Sequence, residues 1–152
     1  MGALVVGRVF SGIGKGRYYV GHPEYQKRFK EALGYRPYPG TLNVKLESPE
    51  SSRALNEARG GVVIRPFTFE GESFSGLECF EGSLLGERAA FLRIEITHYN
   101  ATVAELVSPV YLRGKLGVKD GDLVEFAMDG AGLTGEGRRR APGRRPSSRG
   151  SS

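Results

Sequence analysis

The sequence predicts a mainly β protein, and more specifically a small closed β-barrel. Short segments in which apolar and polar residues alternate recur along the chain, separated by glycine, proline and aspartate. A single segment has sustained helical periodicity, so the alternation of strand and helix that marks a parallel sheet is missing. Many short strands with one definite helix favour a closed barrel.

The first predicted elements are a strand, a glycine-rich turn and the helix. Val5–Phe10 alternates and ends at a Ser-Gly turn signal, and Tyr18–Val20, aromatic and β-branched, is predicted as a short second strand. The helix is predicted to begin at Pro23, a residue favoured in the first helical turn, and to end at Gly34. Its apolar side recurs at helical spacing through Tyr25, Phe29, Ala32 and Leu33.

The rest of the chain is predicted as strands with one polar interruption. Residues 48–61 are polar and are predicted as a loop with a helical turn at 53–58. A second short helical turn is predicted at 112–116, ended by Gly117. Strands are predicted at 41–46, 62–64, 67–69, 73–80, 89–97, 103–107 and 123–128, with a hairpin turn at 70–72.

Charge divides the 152-residue chain into two parts. The net charge is +5, but residues 137–152 contain six arginines and no acidic residue, so residues 1–136 sum to −1. We therefore predict one barrel domain at 1–130 and a disordered tail rich in Arg, Gly, Pro and Ser at 131–152. The near-neutral barrel argues against nucleic-acid binding by the folded part, whereas the tail is predicted to solubilise the chain or to make a weak polyanion contact.

Other sequence features exclude several classes of site. Cys79 is the only cysteine, which rules out an intramolecular disulfide and a thiolate metal cage, and a chain with two histidines disfavours a histidine-based metal site. No apolar run reaches transmembrane length, and the N-terminal residues lack a signal-peptide pattern. We expect a cytoplasmic monomer.

Two motifs indicate chemistry. Gly12–Arg17 reads GIGKGR, in which glycines allow backbone N–H groups to approach an anion and an arginine adds charge; the Walker A pattern is absent. Thr41 and Asn43 stand two apart on a predicted strand, so both project from one face. Neutral oxygens bind Mg²⁺ poorly unless phosphate supplies negative charge, which links the two motifs. Taken separately, the glycine run is more often an ordinary tight turn between strands, and a Thr–Asn pair on a strand is more often a pair of hydrogen-bonded surface residues.

The order and spacing of the motifs resemble those of the archaeal CTP-dependent riboflavin kinases. The resemblance covers about residues 4–128 and rests on SGIGKGRYYV, LGYRPYPGTLNVKL and ELVSPVYLRGKLGVKDGDLVEF. It implies a cradle-loop (RIFT-type) six-stranded β-barrel with one covering helix. It also implies transfer of the γ-phosphoryl group of CTP to the 5′-hydroxyl of riboflavin, giving FMN and CDP, with one Mg²⁺ ion.

The resemblance also implies roles for individual residues. Thr41 and Asn43 match Mg²⁺ ligands, and Thr97 and Glu105 match flavin contacts, although Thr97 is followed by His-Tyr where Tyr-His is expected in some relatives. Arg17 is expected to offset charge on the transferring group, and Glu105 either to bind flavin or to orient the hydroxyl. The nucleotide-binding residues implied are Gly12, Ile13, Gly14, Lys15, Gly16, Arg17, Val110, Tyr111, Leu112 and Arg113.

An alternative class is a non-catalytic barrel module of the cradle-loop type that binds DNA or flavin nucleotide. The segment LGVKDGDLVEF alone fits such proteins. The slightly negative barrel opposes DNA binding, and the Thr41/Asn43 pair would have no role in a module without turnover.

Overall fold

The computed structural model describes residues 2–94 and 102–130. Nine strands and four helices lie in these residues. In chain order they are β1 (Ala3–Phe10), α1 (Lys15–Gly21), α2 (Pro23–Leu33), β2 (Leu42–Leu46), α3 (Pro49–Glu57), β3 (Val62–Ile64), β4 (Phe67–Phe69), β5 (Glu72–Phe74), β6 (Leu77–Leu84), β7 (Glu87–Ile94), β8 (Val103–Val107), α4 (Leu112–Leu116) and β9 (Leu123–Met128).

Six of the strands form a closed antiparallel barrel. The main sheet has the order β3-β6-β7-β8-β2-β1-β9, and β6 also pairs with β9, which closes the ring and leaves β3 outside it. The predicted mainly β fold with a six-stranded barrel is therefore confirmed. Burial alternates along the strands, most regularly in β9, where every second side chain faces the interior.

Strands β6 and β9 approach each other very closely where the barrel closes. Gly82 of β6 lies opposite Met128. A Cβ atom placed on Gly82 would collide with the backbone carbonyl oxygen of Ala127 and would stand 2.8 Å from Cζ of Phe126. The seam therefore depends on a residue without a side chain.

Two apolar clusters stabilise the fold. The first fills the barrel and includes Phe80, Phe126 and Leu106, all almost fully buried. The second lies beneath α2 and includes Phe29 and Cys79. Cys79 is fully buried, and this burial raises the pKa of its thiol, so the side chain is a core residue without thiolate reactivity.

The predicted strand at Tyr18–Val20 is wrong, because these residues belong to α1. Gly14 has a left-handed backbone (φ 90°), and the helix begins directly after it. Val20 is buried in the cluster beneath α2, while the two tyrosines stay exposed. His22 then ends α1 and caps α2, since its Nδ1 accepts a hydrogen bond from the Glu24 N–H at 3.0 Å.

The predicted loop at 48–61 is also wrong over most of its length, because residues 49–57 form α3. Ser48 caps this helix, its hydroxyl accepting the Ser51 N–H at 3.1 Å, and Pro49 occupies the first turn. Leu55 is fully buried in the barrel core. Helix α3 extends the helical turn predicted at 53–58, and α1 was not predicted as a helix. With α2 and the predicted short helix α4, the described residues contain four helices.

Two predicted strands have different bounds in the structure. The segment 73–80 is split between β5 and β6, and β4 and β5 form a separate two-stranded hairpin. The strand predicted at 89–97 runs from Glu87 to Ile94, and residues 95–97 lie outside the described part of the chain. The hairpin turn at 70–72, the helix from Pro23 to Leu33 and the short helix at 112–116 are confirmed.

None of the helices in residues 2–94 and 102–130 has the length and apolar character needed to cross a membrane. The division between a barrel at 1–130 and a tail at 131–152 stays a prediction, because the tail lies outside the described residues.

Candidate active site

A cavity of about 680 Å³ opens where β1 ends and β2 begins. Its walls come from three regions that are far apart in sequence: the glycine-rich segment, the turn before β2 with β2 itself, and β8 with the start of α4. The lining residues are Phe10, Ser11, Gly12, Ile13, Gly14, Lys15, Gly16, Arg17, Tyr38, Pro39, Gly40, Thr41, Leu42, Asn43, Val103, Glu105, Leu106, Ser108, Val110, Tyr111, Leu112 and Arg113.

The glycine-rich segment is half loop and half helix. Gly12–Gly14 forms a turn after β1, whereas Lys15, Gly16 and Arg17 are the first turn of α1. The N–H groups of a first helical turn have no partner inside the helix, so they are available to an anion. Lys15 and Arg17 are both exposed beside them. The segment thus brings backbone donors and two cationic side chains to one wall of the cavity.

Thr41 and Asn43 present two oxygen atoms side by side. Thr41 immediately precedes β2, and its Oγ1 donates a hydrogen bond to Oδ1 of Asn43 across 3.1 Å. Neighbouring oxygen ligands in an octahedral Mg²⁺ shell are about 3.0 Å apart, given Mg–O distances of about 2.1 Å at a right angle. The spacing of this pair therefore fits two adjacent positions around Mg²⁺. In the described residues no cluster of three or more His, Cys, Asp or Glu fits a metal ion.

The glycine-rich segment packs directly on this oxygen pair. A Cβ atom on Gly16 would stand 2.5 Å from Oγ1 of Thr41, and one on Gly12 would collide with Nδ2 of Asn43. Glycine at these two positions lets the backbone approach the pair more closely than any other residue allows. The two motifs, separated by a whole helix in sequence, therefore meet in one place.

Glu105 adds a carboxylate next to the pair. It lies directly opposite Asn43 in the β2–β8 ladder, and directly opposite residues of an antiparallel pair project from the same face. The residue is exposed and lines the cavity, and partial loss of solvation there raises the pKa of its carboxyl. A carboxylate with a raised pKa is a strong hydrogen-bond acceptor and a better proton acceptor than a fully hydrated one.

The segment Val110–Arg113 forms the wall that faces the glycine-rich segment. Leu112 is buried and begins α4, which fixes the backbone of this wall. The ring of Tyr111 lies against that of Tyr38, with centroids 4.9 Å apart, and both rings are about half exposed at the cavity. The arrangement offers backbone groups and an aromatic surface to a planar ligand.

The structure therefore brings together every predicted site residue that it describes. Thr97 lies outside the described residues, so its predicted flavin contact stays untested. Sequence reasoning missed Ser11 and Ser108, which also line the cavity. The Ser108 hydroxyl donates to the backbone carbonyl of Arg88 at 2.6 Å, and the Ser108 carbonyl accepts the Tyr38 N–H at 2.8 Å. No local pattern distinguishes such a serine, because the two partners named here, Arg88 and Tyr38, are distant in sequence.

Replacing Gly16 with alanine is expected to damage the site but not the fold. Gly16 is helical, so alanine improves local helix propensity by about 1 kcal/mol. Its methyl group, however, would force α1 away from Thr41. We expect Gly16→Ala to weaken the binding of a Mg²⁺–nucleotide at least tenfold in calorimetric titration, with a melting temperature within about 3 °C of wild type.

The matched control is Gly21→Ala, in the last position of the same helix. A Cβ atom there meets Cβ of Pro39 at 3.2 Å, a tight contact that a small shift relieves, and it does not reach Thr41. Wild-type nucleotide binding in Gly16→Ala would contradict the close packing of α1 on Thr41.

Comparison with known proteins identifies relatives of this site and fold. A family model with the description "CTP-dep_RFKase: Domain of unknown function DUF120" matches residues 9–128. A protein named riboflavin kinase from Archaeoglobus fulgidus is 46% identical over 126 residues, covering 82% of this chain and 54% of that protein. Riboflavin kinases from Methanocella arvoryzae and Thermofilum pendens are 41% and 42% identical, covering 81% and 80% of this chain and 56% and 57% of theirs.

The chain thus spans a little over half the length of these curated relatives. The family match covers the barrel from the end of β1 to the end of β9, and with it both walls of the cavity. The match and the identities lead to one conclusion: this chain belongs to the CTP-dep_RFKase family.

Proposed function

We propose that this chain is a CTP-dependent riboflavin kinase domain, which transfers the γ-phosphoryl group of CTP to the 5′-hydroxyl of riboflavin. The observation that carries the proposal is the meeting of three groups in one cavity. The glycine-rich segment, the Thr41/Asn43 oxygen pair and the Glu105 carboxylate are contributed by α1, β2 and β8. The names of the relatives support the proposal, and the roles of the individual residues are part of it.

Thr41 and Asn43 would hold Mg²⁺, which, when bound, neutralises charge on the triphosphate. Phosphoryl transfer requires positioning and charge neutralisation more than covalent chemistry. The first-turn N–H groups of α1 would bind phosphate oxygens, and the Arg17 guanidinium would offset the charge that develops on the transferring group. Lys15, exposed on the same turn, is placed to assist.

Glu105 would act on the acceptor. In the reaction an oxygen–phosphorus bond forms to the riboflavin hydroxyl, the bond to the CDP oxygen breaks, and the hydroxyl loses its proton. Glu105 lies beside Asn43, so its carboxylate is placed to orient this hydroxyl and to receive that proton. A base of modest strength is adequate, because a loose transition state develops little nucleophilic bonding.

The second wall would bind the nucleoside. Backbone groups of Val110–Arg113 are placed to contact a base edge, and the Tyr111 ring gives this wall an apolar surface. The preference for CTP rests on the family resemblance. The predicted cytoplasmic location, the monomeric state, the contact of Thr97 with flavin and the polyanion contact of the tail also stay predictions.

The direct test is to incubate the purified chain with riboflavin, Mg²⁺ and each of CTP, ATP, GTP and UTP, and to measure FMN by chromatography. We expect FMN to form at least tenfold faster with CTP than with the other nucleotides, with CDP in equal amount, and FMN formation to stop when EDTA is added. Flavin binding without FMN from any nucleotide would contradict the proposal and favour a non-catalytic flavin module. Retention of duplex DNA, with no FMN, would favour the DNA-binding alternative.

A further inference from the structure

A charged bridge joins the segment before the glycine-rich turn to α4, two segments that line the cavity. The Ser11 hydroxyl donates to both carboxylate oxygens of Asp120, at 3.0 and 2.9 Å. Nη2 of Arg113 donates to Oδ1 of the same carboxylate at 2.7 Å and stands 3.4 Å from Oγ of Ser11. We call these three side chains the Ser11–Asp120–Arg113 bridge. Ser11 leads into the glycine-rich segment and Arg113 belongs to α4, so the bridge connects segments about 100 residues apart.

Asp120 itself does not line the cavity, whereas both of its partners do. A group in this place acts on a ligand through the residues that it holds. The short charge-assisted contacts to Arg113 and Ser11 lower the pKa of the Asp120 carboxyl. The carboxylate is therefore ionised at neutral pH, which the hydrogen bonds from both partners require.

The backbone that carries Asp120 is fixed to the barrel. The turn at 119–122 pairs with the end of β1, where the Gly121 N–H donates to the Val9 carbonyl at 2.8 Å and the Val9 N–H donates to the Asp122 carbonyl at 2.9 Å. The Arg8 guanidinium donates to the Gly121 carbonyl at 3.0 Å. The turn is closed by the Asp122 carboxylate, which accepts the Lys119 N–H at 2.9 Å. Asp120 thus projects from a rigid support.

We propose that Asp120 is a positioning residue for the nucleotide: it holds Ser11 and Arg113 so that the glycine-rich segment and α4 keep the separation that the nucleotide requires. This inference rests on the proposed function, since it assumes that the cavity binds a nucleoside triphosphate. Holding two walls in the bound arrangement reduces the ordering cost of binding. An exposed ion pair contributes little to global stability, so the bridge should affect binding far more than folding.

The test measures dissociation constants by titration calorimetry, for CTP with Mg²⁺ in the absence of riboflavin and for riboflavin alone. We expect the dissociation constant of CTP to rise about tenfold in Asp120→Ala and about threefold in Ser11→Ala. The double variant should match Asp120→Ala, because both changes remove the same bridge, whereas independent effects would multiply to about thirtyfold. Riboflavin affinity should stay within twofold. In turnover assays the KM for CTP should rise while kcat stays within threefold.

Two further variants keep the test decisive. Asp120→Asn preserves the shape of the side chain and removes its charge, so it replaces Asp120→Ala if that variant folds poorly. Glu125→Gln removes the same charge from an exposed position on β9 and is expected to bind CTP as wild type does. Three results would contradict the proposed role of Asp120. They are unchanged or tighter CTP binding in the Asp120 variants, a parallel loss of riboflavin binding, and a thirtyfold rise of the CTP dissociation constant in the double variant.

The experiments distinguish failure of the proposed role of Asp120 from failure of the proposed riboflavin kinase activity. A wild-type chain that binds CTP but makes no FMN would refute the kinase proposal and leave the comparison of CTP affinities intact. A wild-type chain that makes FMN, with CTP affinities equal across the variants, would refute the bridge alone. Absence of CTP binding in the wild-type chain would refute both.

Discussion

Replacing Thr41 and Asn43 together with alanine is expected to reduce kcat for FMN formation about a thousandfold. The two oxygens are spaced for adjacent ligand positions around Mg²⁺, and their loss would remove the proposed protein ligands of the ion. Electrostatic stabilisation by a bound divalent ion contributes several kcal/mol to phosphoryl transfer, and about 4 kcal/mol corresponds to a thousandfold. Turnover is measured by FMN chromatography over a range of Mg²⁺ concentrations.

The fold should survive this double change. The hydrogen bond of this pair joins the two side chains to each other, so its loss costs about 1 kcal/mol. We expect a native circular dichroism spectrum and a melting temperature within about 5 °C of wild type. The matched control is Thr68→Ala, an exposed threonine on the β4–β5 hairpin, which should keep full activity. Activity within tenfold of wild type in the double variant, at limiting Mg²⁺, would remove the metal site from the proposal.

Gly82→Val is expected to prevent the barrel from closing. Gly82 is buried at the seam between β6 and β9, where any Cβ atom would collide with the Ala127 carbonyl oxygen and press on the Phe126 ring. A backbone carbonyl inside a ladder cannot rotate away, so the strands must separate. We expect a loss of at least 3 kcal/mol in the free energy of unfolding, measured by urea denaturation. Domains of this kind are stable by about 5–15 kcal/mol, so such a loss removes a large share of the stability and should lower the urea midpoint markedly.

The matched control for this prediction is Ser83→Val. Ser83 is the next residue of β6, so its side chain projects from the opposite face of the seam and has more space. We expect Ser83→Val to unfold within about 1 kcal/mol of wild type. Equal stability of the Gly82 and Ser83 variants would show that the seam tolerates a side chain.

The barrel was predictable from sequence because its signal is local and repeated. Alternation in 123–128 and the turn at 70–72 appear in the structure as predicted. The Tyr18–Val20 segment has aromatic and β-branched residues typical of strands, yet it is helical, because the chain turns at Gly14 and buries Val20 beneath α2. In this case tertiary packing overrides intrinsic propensity.

The full extent of helix α3 and the contacts within the site were not predicted. The polar composition of α3 obscured its helix signal, and the contacts have no signal in the sequence. Helix α3 begins with Ser-Pro-Glu, a pattern that marks a helix N-terminus. Its polar composition nevertheless favoured a loop, because Leu55 is the one large apolar residue in the helix and forms no helical repeat. In the site, glycines and a threonine–asparagine pair were recognisable as motifs. Their direct contact, and the meeting of Ser11 with Asp120, arise from barrel closure and could not be derived from spacing.

The antiparallel pairing of β1 with β9 has a topological consequence. Ala3 lies opposite Met128, so the two ends of the described barrel are neighbours, while the far end of β1 reaches the cavity at Phe10. Seven residues of strand separate these points, about 23 Å. Chain joined at either end of the barrel therefore starts remote from the cavity, and a short linker between the two ends would yield circular permutants whose cavity end is unchanged.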